Sequence, residues 1–167
     1  MRIAILTTGG TIEKTYDETD GSLRNAGSVL DIVLHHLRLP GLVLRQVQVM
    51  SKDSLDMTDD DRRMILEAVR AALPTCDGVI VVHGTDTMAN TGELLHASLP
   101  GLGKPVILTG AMRPFEFRDT DAYQNLTEAL LACRLLLPGV YVVMHNQALR
   151  FPGVRKDRQR HTFVRDE

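Results

Sequence analysis

The sequence predicts one α/β domain with a parallel sheet covered by helices on both faces, a three-layer, doubly wound fold of flavodoxin-like strand order. Three observations predict this fold class. Short apolar runs alternate along the whole chain with longer amphipathic segments. Most of these runs are continuously apolar, as strands buried on both faces require. The length of 167 residues suits one domain with a full core.

Five segments have the composition of strands. They are Arg2–Thr7, Val43–Met50, Gly78–His83, Val106–Thr109 and Val140–His145. The second of them differs because Arg45, Gln46 and Gln48 interrupt its apolar residues. Polar and charged side chains are typical of an edge strand, so we expect it at the edge of the sheet.

Four segments between these strands have the signals of helices. They are Val29–Leu37, residues 58–73, Met88–Ser98 and Asp121–Leu137. Ser28 with Asp31 resembles a capping box for the first helix, and Thr58 caps the second ahead of three aspartates. The last helix carries an apolar stripe that we expect to face the core, formed by Leu126, Leu130, Leu131 and Leu135.

Two glycine–threonine junctions follow the first and third strands. Thr8-Gly9-Gly10-Thr11 follows one, and His83-Gly84-Thr85-Asp86 follows the other. In the order 2-1-3-4-5 these strands are neighbours, and ligands bind beyond their carboxyl ends. The fold rule therefore brings Thr11 and Thr85 together, as a nucleophile and its helper would be. The first junction alone also fits a tight turn or a phosphate cradle, although it lacks the spacing of a nucleotide-binding loop.

Composition argues against several classes of protein. A net charge of -2 argues against a nucleic-acid partner, and no apolar run reaches the ~20 residues of a membrane span. Cys76 and Cys133 have neither a metal-ligand nor a disulfide spacing. We therefore expect a cytoplasmic protein with reduced cysteines, no metal and no cofactor.

Four motifs together resemble one known family. The two glycine–threonine junctions, Met57-Thr58-Asp59 and Thr109-Gly110-Ala111-Met112-Arg113-Pro114 are similar, in order, to signatures of the bacterial-type L-asparaginase/glutaminase family. The resemblance spans residues 1–167 as a single domain but only the N-terminal domain of a usual member. It implies a short asparaginase that hydrolyses L-asparagine through a threonine acyl-enzyme.

The resemblance also implies roles for individual residues. Thr11 matches the nucleophile, and Thr85 matches the second essential threonine. Asp86, with Gly84 beside it, matches the residue that binds the α-ammonium group of the substrate. Ser51 matches the residue that binds the α-carboxylate, and Ala111 matches the residue whose backbone carbonyl contacts the amide nitrogen. Tyr16 matches a tyrosine on a mobile loop. Lys156, twelve residues after Met144, matches the lysine that pairs with the second threonine.

Lys156 lies in the basic segment 147–167, whose composition alone predicts a solvated tail without strands or helices. The resemblance instead implies that this segment reaches the site. A threonine hydroxyl needs a neighbour to take its proton. Tyr16, helped by Lys14, or Lys156 acting through Thr85 would serve. The N–H groups of the two junctions are candidate oxyanion donors.

Two departures from the family pattern leave alternatives open. Full-length members receive a glutamate from the second domain of a neighbouring subunit, so that acid is either dispensable here or replaced by a nearby residue, of which the candidates are Glu13, Asp17, Glu18 and Asp20. Lys52 stands where many members have a substrate-contacting glutamine. It would either disfavour glutamine or contact the α-carboxylate.

Two other functions remain as alternatives. One is an amino-acid binding or sensing domain with the same pocket and little turnover. The other is a glutaminase-type amidase or a component of an amidotransferase. In every case we expect a small-molecule substrate and a homo-oligomer, dimer or tetramer, because full-length relatives build sites across subunits.

Overall fold

The computed structural model describes residues 1–19, 21–25 and 29–165, and it has the α/β fold that the sequence predicts. The strands are β1 (Arg2–Thr7), β2 (Lys14–Asp17), β3 (Ser22–Asn25), β4 (Val43–Gln48), β5 (Gly78–Val82), β6 (Pro105–Thr109), β7 (Gly139–Met144), β8 (Gln147–Arg150), β9 (Val154–Asp157) and β10 (Thr162–Arg165). The helices are α1 (Val29–His36), α2 (Asp59–Ala72), α3 (Met88–Ser98) and α4 (Ala122–Leu135).

The main sheet has the order β4-β1-β5-β6-β7-β8. Its first five strands are parallel and reproduce the predicted order 2-1-3-4-5, with β4 at the edge. Strand β1 pairs with β4 on one side and with β5 on the other. The carboxyl ends of β1 and β5 are therefore adjacent, which is the arrangement that the candidate site requires.

Helices cover both faces of the sheet, which gives the predicted three layers. Helices α2 and α3 pack on one face through residues such as Ile65 and Leu95. Helices α1 and α4 pack on the other through Val33 and Leu126. Alternate residues of β1 enter the two cores, which is why the strand is apolar throughout. No helix in the described ranges is long and apolar enough to cross a bilayer.

The predicted cap of α2 is present and is completed by a second residue. The Thr58 hydroxyl accepts a hydrogen bond from the Asp61 N–H at 3.2 Å, and the Asp61 carboxylate accepts one from the Thr58 N–H at 2.8 Å. This reciprocal capping box satisfies two N–H groups that the helix leaves unpaired. The box predicted at Ser28 lies outside the described residues.

The leucine stripe predicted on α4 is only half buried. Leu126 and Leu130 lie in the core, whereas Leu131 is 54% exposed and Leu135 is 70% exposed. Each exposed leucine follows a buried one by five residues, which rotates it by about 140° around a helix with 3.6 residues per turn. The four leucines therefore form two rows, and only one row faces the sheet.

The predicted solvated tail at 147–167 is wrong for most of its length. It contains β8, which pairs with β7 in the antiparallel direction, and the hairpin of β9 and β10. His145 and Asn146 form the tight turn into β8 with φ values of 54° and 61°, as hairpin turns require. Edge strands accept charged residues, so charge does not distinguish such strands from a tail. The β2–β3 hairpin was missed for the same reason.

Candidate active site

The two glycine–threonine junctions are in direct backbone contact. Gly10 has φ 91°, and a Cβ atom placed on it would lie 2.5 Å from both Cα and N of Gly84. Only glycine permits this conformation together with this approach. Thr11 follows Gly10 and Thr85 follows Gly84, so the backbones of both threonines start from the same edge of the sheet.

Hydrogen bonds from Thr8 fix the first junction to its neighbours. Its N–H and its hydroxyl both donate to the Val82 carbonyl, at 3.1 and 3.0 Å. Its own carbonyl accepts the Lys52 N–H at 3.0 Å. Thr8 thereby joins the ends of β1 and β5 and the segment after β4, which determines where Thr11 begins its short 3-10 turn.

Lys156 of β9 contacts the second junction directly. Its Nζ lies 2.7 Å from Thr85 Oγ1 and 3.0 Å from Asp86 Oδ1, and its side chain is only 16% exposed. Arg158 Nη2 lies 3.7 Å from the same Asp86 oxygen. The 2.7 Å contact lets a proton pass between the Thr85 hydroxyl and the amine. The structure thus brings Thr85, Asp86 and Lys156 together although they are about seventy residues apart.

Tyr16 and Lys14 lie on the β2–β3 hairpin. The Tyr16 side chain is 57% exposed, and its N–H donates to Glu116 Oε2 at 2.8 Å. Lys14 Nζ donates to Asp53 Oδ2 at 2.6 Å. This hydrogen bond is the main reason that the pKa of Asp53 is lowered. The hairpin is therefore tied to two loops of the sheet edge, and the Lys14 ammonium points to Asp53.

Ser51 and Lys52 follow strand β4 and have different surroundings. Ser51 is exposed and lines a cavity of about 240 Å³ with Glu13 and other residues at the ends of β1 and β4. Lys52 Nζ binds both carboxylate oxygens of Asp61, at 2.9 and 2.7 Å. The lysine hydrogen bond is the largest cause that lowers the pKa of Asp61 to about 2. Lys52 therefore strengthens the cap of α2.

Ser54 lies against the second junction and was missed from the sequence. A Cβ atom on Gly84 would come within 2.6 Å of Ser54 Oγ, so the serine occupies the space beside the glycine. Its hydroxyl is buried and has no hydrogen-bond partner among the described residues. A buried unpaired hydroxyl is available to a ligand. Ser54 lies three residues before the motif Met57-Thr58-Asp59, and this position was the one sign in the sequence that it could belong to the site.

The loop after β6 packs on the same junction. A Cβ atom on Gly110 would overlap the His83 carbonyl oxygen, and Ala111 is completely buried. The Asn125 side-chain amide donates to the Gly110 carbonyl at 2.9 Å. Asp121 accepts the Met112 N–H at 3.0 Å. Helix α4 thus holds the segment that contains Ala111 against the end of β5.

His83, a buried and neutral imidazole, stabilises the second junction by a hydrogen bond to its backbone. Its burial is the main cause that lowers its pKa to about 4, and the charge of Arg62 acts in the same direction. Its Nδ1–H donates to the Gly84 carbonyl at 2.7 Å, and its Nε2 accepts the Thr91 hydroxyl at 2.8 Å. Both ring nitrogens are therefore occupied, so His83 fixes the backbone of Gly84.

Among the candidate acids, Glu13 is buried, whereas Glu18 is exposed and Asp20 lies outside the described residues. Burial raises the pKa of Glu13 to about 7, and the Gly9 N–H opposes this by donating to its carboxyl group. Glu13 lies in the turn that Thr11 begins, two residues further along. It faces the cavity that Ser51 also lines.

The raised pKa of Glu13 predicts a loss of stability as pH rises. Below its ordinary value of 4.5 the carboxyl is protonated in both folded and unfolded states. Between 4.5 and about 7 the unfolded chain releases the proton first, so stability falls, and above 7 the full loss is present. The shift corresponds to about 3 kcal/mol at most, and solvent in the adjoining cavity reduces this to roughly 1–2 kcal/mol.

Glu13→Gln removes the ionisation. We expect the free energy of unfolding of the variant, relative to that of wild type, to increase by roughly 1–2 kcal/mol between about pH 4 and about pH 8. Urea unfolding at both pH values measures this difference. Glu18→Gln is the matched control because Glu18 is exposed. If the free energy of unfolding depends on pH equally in wild type and Glu13→Gln, ionisation of Glu13 does not destabilise the folded protein.

The fold and the touching junctions define the class: a doubly wound α/β domain in which two glycine–threonine junctions meet at the point where the strand order reverses. A family model described as "Asparaginase, N-terminal" matches residues 2–163. The chain therefore belongs to the asparaginase family.

Individual relatives agree with this assignment. An L-asparaginase of Thermococcus kodakarensis is 33% identical over 93% of this chain and 48% of its own length. A component of the glutamyl-tRNA(Gln) amidotransferase of Aeropyrum pernix is 36% identical over 99% of this chain and 40% of its own length. The solved structure of the thermostable L-asparaginase from Thermococcus kodakarensis has a TM-score of 0.90 and 31% identity, over 99% of this chain and 51% of that one. The chain spans about half the length, or less, of these relatives.

Proposed function

We propose that this chain hydrolyses L-asparagine to L-aspartate and ammonia through an ester formed on Thr11. The observation that carries the proposal is the backbone contact of Gly10 with Gly84, together with Lys156 at 2.7 Å from Thr85. These contacts support the proposal because Thr11 and Thr85 follow the two touching glycines and Lys156 reaches the second threonine. This is the combination of a hydroxyl nucleophile and a proton acceptor that amide hydrolysis requires.

The proposed reaction has two halves. In the first, the Thr11 hydroxyl attacks the side-chain amide carbon and its proton passes to Tyr16 or through Thr85 to Lys156. That group then gives the proton to the amide nitrogen, and the C–N bond breaks to release ammonia and leave the ester on Thr11. In the second, water attacks the β-aspartyl ester, releases aspartate and returns the proton to Thr11. The N–H groups of the junctions stabilise the oxyanion in both halves, and each donor is worth about 3 kcal/mol of barrier.

Substrate orientation comes from charges at the two ends of the amino acid. Asp86 binds the α-ammonium, and both of its described ion pairs are on Oδ1, which leaves Oδ2 for the substrate. The resemblance assigns the α-carboxylate to Ser51. Ser54 is a second candidate because its unpaired hydroxyl lies beside Gly84. Ala111 offers its backbone carbonyl to the amide nitrogen.

The test is ammonia and aspartate release from asparagine, compared with glutamine. We expect kcat/KM to be about 10-fold or more higher for asparagine, since one additional methylene in a fitted site changes this ratio by that order. A faster reaction with glutamine would favour an amidase of the glutaminase or amidotransferase type. That alternative has support from the similarity to the Aeropyrum pernix amidotransferase component. Tight binding of aspartate without ammonia release would favour a binding domain.

We also propose a cytoplasmic location. Cys76 and Cys133 are both free and buried. Burial raises the pKa of the Cys133 thiol to about 12, with a smaller contribution from Cys76. Unreactive, unpaired thiols are typical of proteins in reducing compartments.

A further inference from the structure

The hairpin of β9 and β10, which carries Lys156, is separate from the main sheet. Within the described residues it forms a two-stranded sheet of its own, so the ladder of the main sheet does not fix the position of Lys156. Phe163 lies directly opposite Lys156 in the hairpin register, and it is buried with Val154 in the core that α2 and α3 cover. Side-chain contacts must therefore determine where the lysine amine lies.

His145 makes contacts in three directions next to this hairpin. Its Nδ1 lies 3.0 Å from the hydroxyl of Thr162, which precedes Phe163 in β10. Its Nε2–H donates to Asp121 Oδ2 at 2.8 Å, and its backbone N–H donates to Asn125 Oδ1 at 3.0 Å. One residue thus connects β10 with the first turn of α4.

The turn between β7 and β8 does not by itself require a histidine. His145 and Asn146 have φ values of 54° and 61°, at which asparagine and glycine are the most favourable residues. Position 146 has such an asparagine, whereas position 145 has an imidazole. The two ring nitrogens let one side chain contact Asp121 and Thr162 at once, which the shorter amide of asparagine cannot do.

Asp121 extends the connection to the loop that contains Ala111. Burial alone would raise the pKa of the Asp121 carboxyl, but hydrogen bonds from the Met112 N–H and from His145 outweigh burial and lower it. Hydrogen bonds to an ionised carboxylate are about twice as strong as neutral ones. Asp121 accepts the Met112 N–H at 3.0 Å, and the Gly110 carbonyl accepts from Asn125 at 2.9 Å. The backbone of Ala111 is therefore held on both sides.

We propose that His145 is a positioning residue that sets the separation between the Lys156 amine and the Ala111 carbonyl. It holds the hairpin of the lysine through Thr162 and the loop of the alanine through Asp121. It acts through these two segments and exchanges no proton in the reaction itself.

This inference rests on the proposed function and names a reason for the arrangement. In the proposed reaction the proton that leaves Thr11 reaches Lys156 through Thr85. The proton must then pass to the amide nitrogen, which the Ala111 carbonyl contacts. The donor and the nitrogen thus belong to two separate segments that His145 joins. A misplacement of about 1 Å between reacting groups can lower a rate ~10²-fold.

Thr162→Val tests the connection to the hairpin, because valine has the shape of threonine without the hydroxyl. We expect kcat for asparagine to fall about 10-fold and KM to change by less than about threefold. Thr162→Ser keeps the hydroxyl and should recover most of kcat. Thr127→Val is the matched control, since it removes an exposed hydroxyl of α4 that donates to the Tyr123 carbonyl, and it should match wild type.

His145→Asn breaks the connection at its centre. Asparagine suits a φ of 54°, so the turn should form, and urea unfolding of each variant shows whether it is folded. Because both segments are released, kcat should fall about 10-fold or more.

A double-mutant cycle shows whether the hairpin contact acts through Lys156. Adding Thr162→Val to Lys156→Met should lower kcat by less than about twofold, because the group that Thr162 helps to position is already gone. A general structural effect would instead lower kcat by the same factor with and without the lysine.

NMR of protein labelled with ¹³C at the lysine ε position reports the surroundings of Lys156 without turnover. The chain has four lysines, so the Lys156 signal is the one that Lys156→Met lacks. We expect Thr162→Val and His145→Asn to move this signal toward that of an exposed lysine. The signal of Lys104, which donates to the Leu73 carbonyl, should stay in place.

The proposal and the proposed function can fail separately. Wild-type kcat together with an unmoved Lys156 signal in both variants would overturn the proposal, and so would an equal loss of kcat with and without Lys156. If wild type releases no ammonia, the proposed reaction is wrong and the lysine signal decides alone. A moved signal then supports the positioning of Lys156 by His145, and an unmoved one overturns it.

Discussion

Thr11→Ala is expected to lower kcat for asparagine by about 10³-fold or more while the protein remains folded. The variant removes the hydroxyl that forms the ester, and the loss corresponds to about 4 kcal/mol of transition-state stabilisation or more. Thr11 lies at the start of a 3-10 turn and is only partly buried. Loss of one hydroxyl there leaves the contact of Gly10 with Gly84 intact. Ammonia release under saturating asparagine measures the effect.

Two substitutions control for this result. Thr11→Ser keeps a hydroxyl and should retain measurable turnover, whereas Thr19→Ala changes an exposed threonine of the β2–β3 connection and should have wild-type activity. Mass spectrometry of a quenched reaction locates the ester on a peptide. Wild-type turnover in Thr11→Ala, or an ester on Thr85, would refute the assignment of Thr11 as the nucleophile.

The sequence predicted the sheet order and the contact of the junctions because both depend on local signals. Continuously apolar strands predict a sheet buried on both faces, and the strand order then places β1 beside β5. Positions 10 and 84 need glycine because two segments of backbone meet there, and a Cβ atom on Gly10 would lie 2.5 Å from Cα of Gly84. A turn sequence can therefore report a tertiary contact.

Other features depended on contacts that spacing along the chain does not record. The α4 leucines have the same residue type in two rows, and only the position of the sheet decides which row is buried. Ser51 directly follows the second strand as the sequence predicts it, whereas in the structure Ser54, at the start of a 3-10 turn, lies against Gly84. Lys52 contacts the cap of α2 because Asp61 is within its reach. In each case the contact is decided by the tertiary packing of the segment and not by its sequence spacing.

The basic segment was the hardest part to interpret from composition. Its charges indicated a solvated tail, whereas its second hairpin delivers Lys156 to Thr85. Two contacts brace that hairpin. His145 Nδ1 lies 3.0 Å from the Thr162 hydroxyl of β10, and its Nε2–H donates to Asp121 Oδ2 at 2.8 Å. The Asp121 carboxylate is thus joined both to the loop of Met112 and to the hairpin of Lys156.

Lys156→Met is expected to lower kcat for asparagine by about 10²–10³-fold, which lies within the ~10²–10⁴-fold that a proton-transfer group typically contributes. Methionine has a similar length but cannot exchange a proton with the Thr85 hydroxyl, which lies 2.7 Å from the lysine nitrogen. The variant also removes the nearer of the two cations at Asp86 Oδ1, while Arg158 remains at 3.7 Å. We therefore expect a larger effect on kcat than on KM, measured by steady-state kinetics.

Lys156→Arg separates the two roles of this lysine. Arginine keeps the positive charge near Asp86 but stays protonated and presents a planar group, so it cannot accept a proton from Thr85. If proton transfer is the main role, Lys156→Arg should be nearly as slow as Lys156→Met, and if charge is the main role, it should recover most of the activity. Lys104→Met, far from the junctions, should match wild type, since Lys104 donates to the Leu73 carbonyl. Unchanged kcat in Lys156→Met would mean that the 2.7 Å contact only joins the β9–β10 hairpin to the sheet edge, because a proton acceptor cannot be deleted without slowing the step that it serves.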